Sequence, residues 1–531
     1  MSVNHRHPQS HARQLMGNRR EALYSGAATR RIEQLAASKL PAHTLMTRAG
    51  HSVARLALAM APHARTIWIA CGPGNNGGDG LIAALYLHRL AQVTGIARHV
   101  VVTHACKSED QLPEDAHQAL CAAREAGVVF DDHPPATFDL AVDALFGIGA
   151  TRPLEGETAA WLAALRGSRQ PVLCVDLPSG LHADTGTLAP LPFSRSTHFP
   201  GPRYTLSLLT LKPGLFTGAG RDAAGEVWFD DLEAGPITHV PPTAWLSGRS
   251  TEGNAVSARP HASHKGSFGD VVVIGGQSIA INGVGMTGAA ILAARAALHA
   301  GAGRVFVGLL DGANDDNLHW DPTCPELMFR HARVLLESDA LSDATVVCGC
   351  GGGTAIASVL PRVLSIARCL VLDADGLNCV ATDPALQSLL KRRQDSGLVT
   401  VLTPHPLEAA RLLNVQTREV MEDRWHAAQS ITDRFGAICV LKGSGTVITA
   451  PGATPLVNAS GNARLATAGT GDVLAGMMGS ALARPGIPPS EVLDSVAEAV
   501  FQHGWLADHW DATAAATLSA SRLADLVQPL A

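Results

Sequence analysis

The stretch CGPGNNGGDG, residues 71–80, stands between an apolar run at 65–71 (RTIWIAC) and an amphipathic one at 80–91 (GLIAALYLHRLA). Gly72, Gly74 and Gly77 fit G-x-G-x-x-G between a strand and a helix. Such a loop gives a tight turn, a close approach of backbone to ligand, and a helix N-terminus facing an anion. A phosphate needs only backbone N–H groups, yet this loop also carries two amides and a carboxylate, Asn75, Asn76 and Asp79. The acidic residue expected about 20 positions on is missing, and His104 follows Thr103 where it should stand. An ordinary dehydrogenase gripping ribose hydroxyls is therefore disfavoured.

Outward from the loop, short apolar runs alternate with helical stretches. The runs at 99–103 (HVVVT), 139–143 (DLAVD) and 172–176 (VLCVD) read as buried strands, 80–91 as a helix, and 27–60 as one or two helices. A second series follows at 270–274, 304–309, 345–348, 369–373, 399–402 and 438–441. Between about 236 and 263 the text is rich in Pro, Ser and Gly and lacks periodicity. These features predict an α/β protein with mainly parallel sheets and two domains, 1–240 and 263–531, joined by a linker at 241–262.

Composition narrows the class. The 531 residues carry a net charge of −6 and 17% charged residues, which leaves no basic footprint for nucleic acid and none for an anionic membrane. No apolar stretch is long enough for a membrane span, since the best one, around 286–303, contains Arg295 and His299. The opening MSVNHRHPQSHARQL has no apolar core and does not read as a signal peptide. Ten cysteines without C-x-x-C spacing suit a reduced, cytoplasmic setting. A homo-oligomer is expected.

Two further strands of the first half end in an acid, Asp143 in VDALFGIG and Asp176 in VDLPSG. Ligands of doubly wound sheets sit at the carboxyl ends of strands, so both acids should converge on the glycine loop. GPGNNGGDG, VDALFGIG and DLPSG followed by ADTG resemble the NAD(P)H-hydrate epimerase family over most of 25–235. The resemblance implies a Rossmann-like domain that interconverts the R and S epimers of hydrated NADH or NADPH, with a bound potassium ion. It makes Asn76, Asp143 and Ser179 the ion ligands, all oxygen donors suited to a hard cation. It places the substrate against Asn75, Asn76, Gly77, Gly78 and Asp79, against Gly147, Ile148, Gly149, Ala150, Thr151, Arg152 and Pro153, and against Asp176, the candidate acid/base. A departure is LAPLPFSRSTHFPGPRYTLSLLT (188–210), which replaces a short run before the late strand.

The second half has no Walker loop. ATAGTGDVLAGMM (466–478) instead opens an apolar helix with Gly469, Gly471 and Asp472. Asp472 stands where an N-cap would, or where a general base for a hydroxyl attacking phosphorus would. G-x-G-D at a helix start resembles ribokinase-like small-molecule kinases. With HKGSFGDVVVIGG, GAGRV, CPELM, LDADGLN, LTPHPLEAARLL and LKGSGTVI in order, residues 260–530 resemble the NAD(P)H-hydrate dehydratase family. That implies nucleotide binding by Lys442, Gly443, Ser444, Gly445, Thr446 and Gly471. It implies contact with the hydrated cofactor by Ala289, Gly353, His405 and Asp472, ADP as donor giving AMP, and magnesium on its phosphates. The departure here is CGCGGG (348–353), where Cys350 and Gly352 replace Pro and Leu of the family loop, so a looser loop is expected. No metal or redox role is expected for Cys348 and Cys350.

The chemistry links the halves. Hydroxide leaves a hydrated nicotinamide ring poorly, phosphate leaves well, and a stereospecific kinase-like site uses one epimer while an epimerase supplies it. The expected function is therefore repair of hydrated NAD(P)H, with Asp176 and Asp472 as catalytic residues. The rivals are a ribokinase-like small-molecule kinase fused to a nucleotide-binding regulatory domain, and a first half that only binds.

Overall fold

The computed structural model describes residues 12–17, 19–106, 108–149, 155–191, 198–248, 261–310, 321–511 and 517–530. The chain divides into two compact units, Met1–Met16 with Glu21–Ala244, and Gly17–Arg20 with Trp245–Ala531.

In the first unit, branched and apolar runs such as TIWIAC become strands because both sheet faces are covered by helices. Among the described residues the sheet runs Arg13–Gln14, Glu226–Asp230, Arg203–Leu208, Val172–Val175, Leu140–Ala144, Thr66–Cys71, His99–His104, Val129–Phe130. Neighbours are parallel except the first pair. The chain leaves Thr66–Cys71 toward His99–His104 on one side and later returns as Leu140–Ala144 on the other. That reversal opens a crevice at the carboxyl ends of strands 66–71 and 140–144. Helices Gly26–Ala37, Thr44–Met60 and Asn75–Thr94 bury Ile32, Val53, Leu81 and Leu87 against Ile67 and Ile69.

Three local expectations change. The helix begins at Asn75, five residues before Gly80, so NNGGD is its first turn rather than loop. Gly74 is extended at its N-cap, and a Cβ on Gly77 would stand 1.9 Å from the Gly72 carbonyl oxygen, so only glycine lets the turn close. Strand 172–176 stops at Val175, because Asp176 takes φ +65°. The segment 188–210, read as standing before the late strand, contains a strand of its own. Its RYTLSL is an internal strand, Arg203–Leu208, beside the one that leads to Asp176.

In the second unit the sheet runs Met328–Phe329, Arg304–Leu310, Asp270–Gln277, Thr345–Cys348, Cys369–Leu372, Val399–Leu402, Ile438–Leu441, Thr446–Thr449, Leu456–Asn458. It is parallel as far as Ile438–Leu441 and antiparallel over the next two pairs, after which Trp245 and Leu246 pair in parallel with Leu456 and Val457. Cores lie on both faces, one built on Val271, Val347 and Met477, the other on Val272, Leu370 and Phe435. The alanine-rich helix Thr287–His299 packs on Thr470–Ala483 so closely that a Cβ on Gly476 would stand 1.9 Å from the Ala293 carbonyl oxygen. That contact fixes where the second helix begins.

Candidate active sites

The first site gathers at the strand ends of the first unit. Asp143 is 3% exposed. Its Oδ1 accepts from Ser179 Oγ at 2.5 Å and its Oδ2 from the Ser179 N–H at 2.9 Å. Ser179 Oγ accepts in turn from the Phe146 N–H at 2.9 Å. Burial pushes the Asp143 carboxyl up despite these bonds. The turn that begins at Leu145 reaches the glycine loop. A Cβ on Gly72 would lie 1.7 Å from the Leu145 carbonyl oxygen, and one on Gly147 would lie 3.3 Å from Asn76 Oδ1. Ile148 is tied down by Arg30, which donates to its carbonyl at 2.9 Å. Gly149 ends the described part of that turn, and Ala150, Thr151, Arg152 and Pro153 lie outside the described residues.

Asn76 Nδ2 is buried without a hydrogen-bond partner. An amide's O and N are assigned from their surroundings, so this orphan position equally suits an oxygen facing a cation. With the Asp143 carboxylate, the Ser179 hydroxyl and the Asn76 amide, the donor set fits a hard monovalent cation.

A group of acids forms the rest of the crevice. Burial, then Asp176, Glu33 and Asp115, pushes the Asp79 carboxyl well above its usual range. Glu33 is raised by burial, then by Asp176, and hydrogen-bonds Asn75. Asp176 is ion-paired with Lys212, whose side chain is fully buried. Residue pattern did not single out Glu33 or Lys212. Lys212 stands two residues past the 188–210 segment, which read as a departure rather than as part of the site. Gly77 and Gly78 are buried in the first helical turn and fit there as packing residues: a Cβ on Gly78 would meet Met46 Cε at 2.5 Å.

The second site lies at the carboxyl edge of the other sheet. Strand Cys369–Leu372 delivers Asp373, and Ile438–Leu441 delivers Lys442. Lys442 Nζ donates to Asp373 Oδ1 at 2.7 Å, and Thr403 Oγ1 donates to the same oxygen at 2.7 Å. Cys350, Asp373 and Asp472 place ligand atoms within 4.8 Å of one another. Asp472 is the third residue of helix Thr470–Ala483, and Gly469 is the N-cap, so Asp472 is not the cap. Burial, then Asp373, raises its carboxyl to about 7, while the Cys350 thiol hydrogen-bonds to it. Burial and the two aspartates push the Cys350 thiol well up. A Cβ on Gly471 would stand 3.3 Å from Lys442 Nζ, which puts the bare helix start against the ammonium.

The hairpin Lys442–Thr446 turns through Gly443 at φ +136° and Gly445 at φ +65°. Beneath it, Arg424, 1% exposed, donates to the carbonyls of Leu441, Lys442 and Gly445 at 3.1–3.3 Å. Arg424 escaped the sequence reading, since a lone arginine in a helix carries no motif. Ser444 is exposed at the tip, and Thr446 Oγ1 bonds the Gly443 carbonyl at 3.3 Å.

The CGCGGG loop is pinned rather than loose. Gly276 N–H donates to the Cys350 carbonyl at 2.9 Å, Gln277 N–H to that of Gly351 at 2.7 Å, and Gly353 N–H to Asp375 at 2.8 Å. Glycines at φ +112°, +57° and +53° (Gly349, Gly351, Gly353) make those bonds possible. Ala289 is its neighbour, since a Cβ on Gly351 would meet Ala289 Cβ at 2.8 Å. His405 is neither a core histidine nor a free ligand group. It caps helix Pro406–Leu413, with Nδ1 accepting from Leu407 N–H at 3.1 Å and Nε2 3.3 Å from Glu408. Burial, then Lys442, lowers its pKa, and burial raises Glu408 to about 7.

Comparison with known proteins places this geometry. The family model described as NAD(P)H-hydrate dehydratase matches residues 271–529, and that described as YjeF-related protein N-terminus matches 42–214. The bifunctional NAD(P)H-hydrate repair enzyme Nnr of Escherichia coli (strain K12) is 35% identical over 490 residues, covering 88% of this chain and 85% of that protein. The ADP-dependent (S)-NAD(P)H-hydrate dehydratase of Neisseria meningitidis is 40% identical over 255 residues, covering 47% of this chain and 80% of that protein. Among solved structures, the ADP/ATP-dependent NAD(P)H-hydrate dehydratase from Bacillus subtilis co-crystallized with ATP/Mg2+ is 27% identical at a TM-score of 0.39, covering 51% of this chain and 91% of that chain. With similarity running through both units, the chain belongs to the family of bifunctional NAD(P)H-hydrate repair enzymes.

Proposed function

We propose that the chain repairs hydrated NADH and NADPH, its first unit interconverting the R and S epimers and its second unit dehydrating the S epimer with ADP, giving AMP and phosphate. The observation that carries this reading is the second-unit cluster, in which a carboxyl held near 7, Asp472, lies beside a paired Lys442–Asp373 and a bare helix start.

Asp472 takes the proton of the ring hydroxyl, whose oxygen then bonds to the β-phosphorus of ADP while the bond to the bridging oxygen breaks and AMP departs. Phosphate leaves as the ring nitrogen's lone pair moves in, and a proton is lost from the neighbouring ring carbon, which restores the reduced nicotinamide. Lys442 and the N–H groups of 469–471 offset the charge that develops on the transferred group. Asp373 and Asp375, the acids beside Asp472, would hold magnesium with the nucleotide's phosphates, where it would neutralise charge. Ala289, Gly353 and His405 line the cofactor side. Gly443, Ser444, Gly445 and Thr446, on the Arg424 base, hold the nucleotide.

In the first unit Asp176, ion-paired with Lys212, is the base, and Asp79, whose carboxyl burial and its acidic neighbours push well up, is the matching acid. Asn75 to Gly78 and Gly147 to Pro153 would bracket the hydrated ring. Potassium, when bound by Asn76, Asp143 and Ser179, supplies a positive charge beside the substrate's anionic part.

The test is stoichiometric. The protein is incubated with the S hydrate and ADP, and AMP, phosphate and reduced cofactor are quantified. Equal yields of the three support the reading. ADP turnover without hydrate, or phosphorylation of a stable alcohol in preference to it, supports the small-molecule kinase instead.

A further inference from the structure

Lys212 is the most fully enclosed charge near the first site, with no exposed side-chain surface. Burying an ammonium is costly unless each of its protons finds an acceptor and its charge a partner. Here Nζ donates to the Leu208 carbonyl at 2.8 Å, to the Thr210 carbonyl at 2.9 Å and to Asp176 Oδ1, with Ser207 Oγ at 3.4 Å. Among the described residues Asp176 is its one ion-pair partner.

The arrangement is unequal on the carboxylate. Oδ1 receives both the ammonium and the Leu208 N–H, the latter at 3.1 Å, and among the described residues no donor falls on Oδ2. Asp176 also sits at φ +65°, a backbone region few non-glycine residues adopt. Its N–H is tied to the Leu206 carbonyl at 2.8 Å. The strand Arg203–Leu208 and the turn to Lys212 thus hold Asp176 by backbone and by side chain.

We propose that Lys212 is a positioning residue for epimerisation, gripping one oxygen of Asp176 so that the other faces the hydrated ring as proton acceptor. This rests on the epimerase reading of the first site. The carboxyls facing the pair are Asp79 on helix Asn75–Thr94 and Glu33 on helix Gly26–Ala37, with Asp115 beside Asp79 and Arg30 beside Glu33. Two carboxyls against one carboxylate make the ammonium necessary, because without it Asp176 would be one more acid in an acidic cluster. A purely structural role, closing the 207–212 turn, needs only the donors and not the charge.

Lys212→Gln separates the two, since an amide still donates to the Leu208 and Thr210 carbonyls but is neutral. Epimerisation is measured in the full chain as consumption of the R hydrate with ADP present, with S-hydrate dehydration by the same molecules as the control and circular dichroism as the check on folding. The expected result is a kcat for the R hydrate at least about 100-fold lower, KM within about threefold, and the acid limb of the pH profile moved up by about one unit. Native-like kcat and an unmoved profile in the folded variant overturn the proposal. Should the Gln variant not fold, Lys212→Arg decides: activity within about tenfold of the native chain supports a positioning cation, and a folded Arg variant about 100-fold down with an unmoved pH profile overturns it. If the native chain itself does not consume the R hydrate faster than its spontaneous rate, the epimerase reading fails before Lys212 is at issue.

Discussion

The Lys442 ammonium lies 2.7 Å from Asp373, and among the described residues no ion pair reaches Asp472, whose ligand atoms share the same 4.8 Å cluster. One aspartate is thereby held as a counter-ion and the other is left as a proton acceptor near neutrality. The division of labour follows from which strand end delivers the lysine.

Asp472→Asn keeps the shape and removes the base. ADP-dependent dehydration should fall by roughly 10²–10⁴-fold, with nucleotide binding retained through Lys442 and the hairpin. Epimerisation should be unchanged. Because Gly469 and not Asp472 caps the helix, the variant should also fold. Activity within about threefold of the native chain would falsify the base assignment.

The same carboxyl sets a pH dependence. A base raised to about 7 must lose its proton to work, so dehydration should increase with pH through about that value. Stability runs the other way. The folded chain binds this proton more tightly than the unfolded chain does, so the contribution is present at low pH and is lost as pH rises through about 7. Glu408, also raised to about 7, acts in the same direction. Above that pH, Asp472→Asn should unfold at least about 2 °C higher than the native chain, as read by scanning calorimetry.

Cys350→Ala removes the thiol bond that favours the ionised form of Asp472. The acid limb of the dehydratase profile should therefore shift upward, by less than about one unit, since a thiol is a weak donor. A downward shift would contradict the placement of the thiol on that carboxylate.

Asp143→Ala strips the Ser179 N–H and hydroxyl of their acceptor and removes the one full charge from the proposed cation site. Epimerisation should be lost, with dehydration of the S hydrate intact. Exchanging potassium for choline in the buffer should lower R-hydrate consumption by the native chain and leave S-hydrate dehydration alone. Equal losses in both activities would make Asp143 a structural residue.

Much of this was legible in the chain. The α/β class, the strand cores and the acids at strand ends follow from apolar runs broken by glycine, because parallel strands are buried on both faces and their carboxyl ends share one edge. The positions of Asp143 and Asp176 could be read that way, whereas Asp472 came from G-x-G-D at a helix start and Lys442 from the family resemblance. What stayed hidden depends on side chains meeting across elements. Lys212 reaches Asp176 from 36 residues on, Arg424 supports the nucleotide hairpin from a helix, and Cys350 meets two aspartates that no ligand spacing would pair with it. The glycine loop was misread at its boundary because its asparagines and glycines favour turns, yet packing of Gly77 on Gly72 and Gly78 on Met46 draws them into a helix.

The central claim, two complementary activities on one chain, is tested most directly by giving a mixture of R and S hydrates with ADP to the native chain, to Asp143→Ala and to Asp472→Asn, and following recovery of the reduced nicotinamide's near-ultraviolet absorbance. The native chain should recover the whole mixture in one continuous phase. Asp143→Ala should recover the S share rapidly and the rest only at the spontaneous rate of epimerisation, and Asp472→Asn should recover almost none. A biphasic native trace identical to that of Asp143→Ala, or full recovery by Asp472→Asn, would contradict the account.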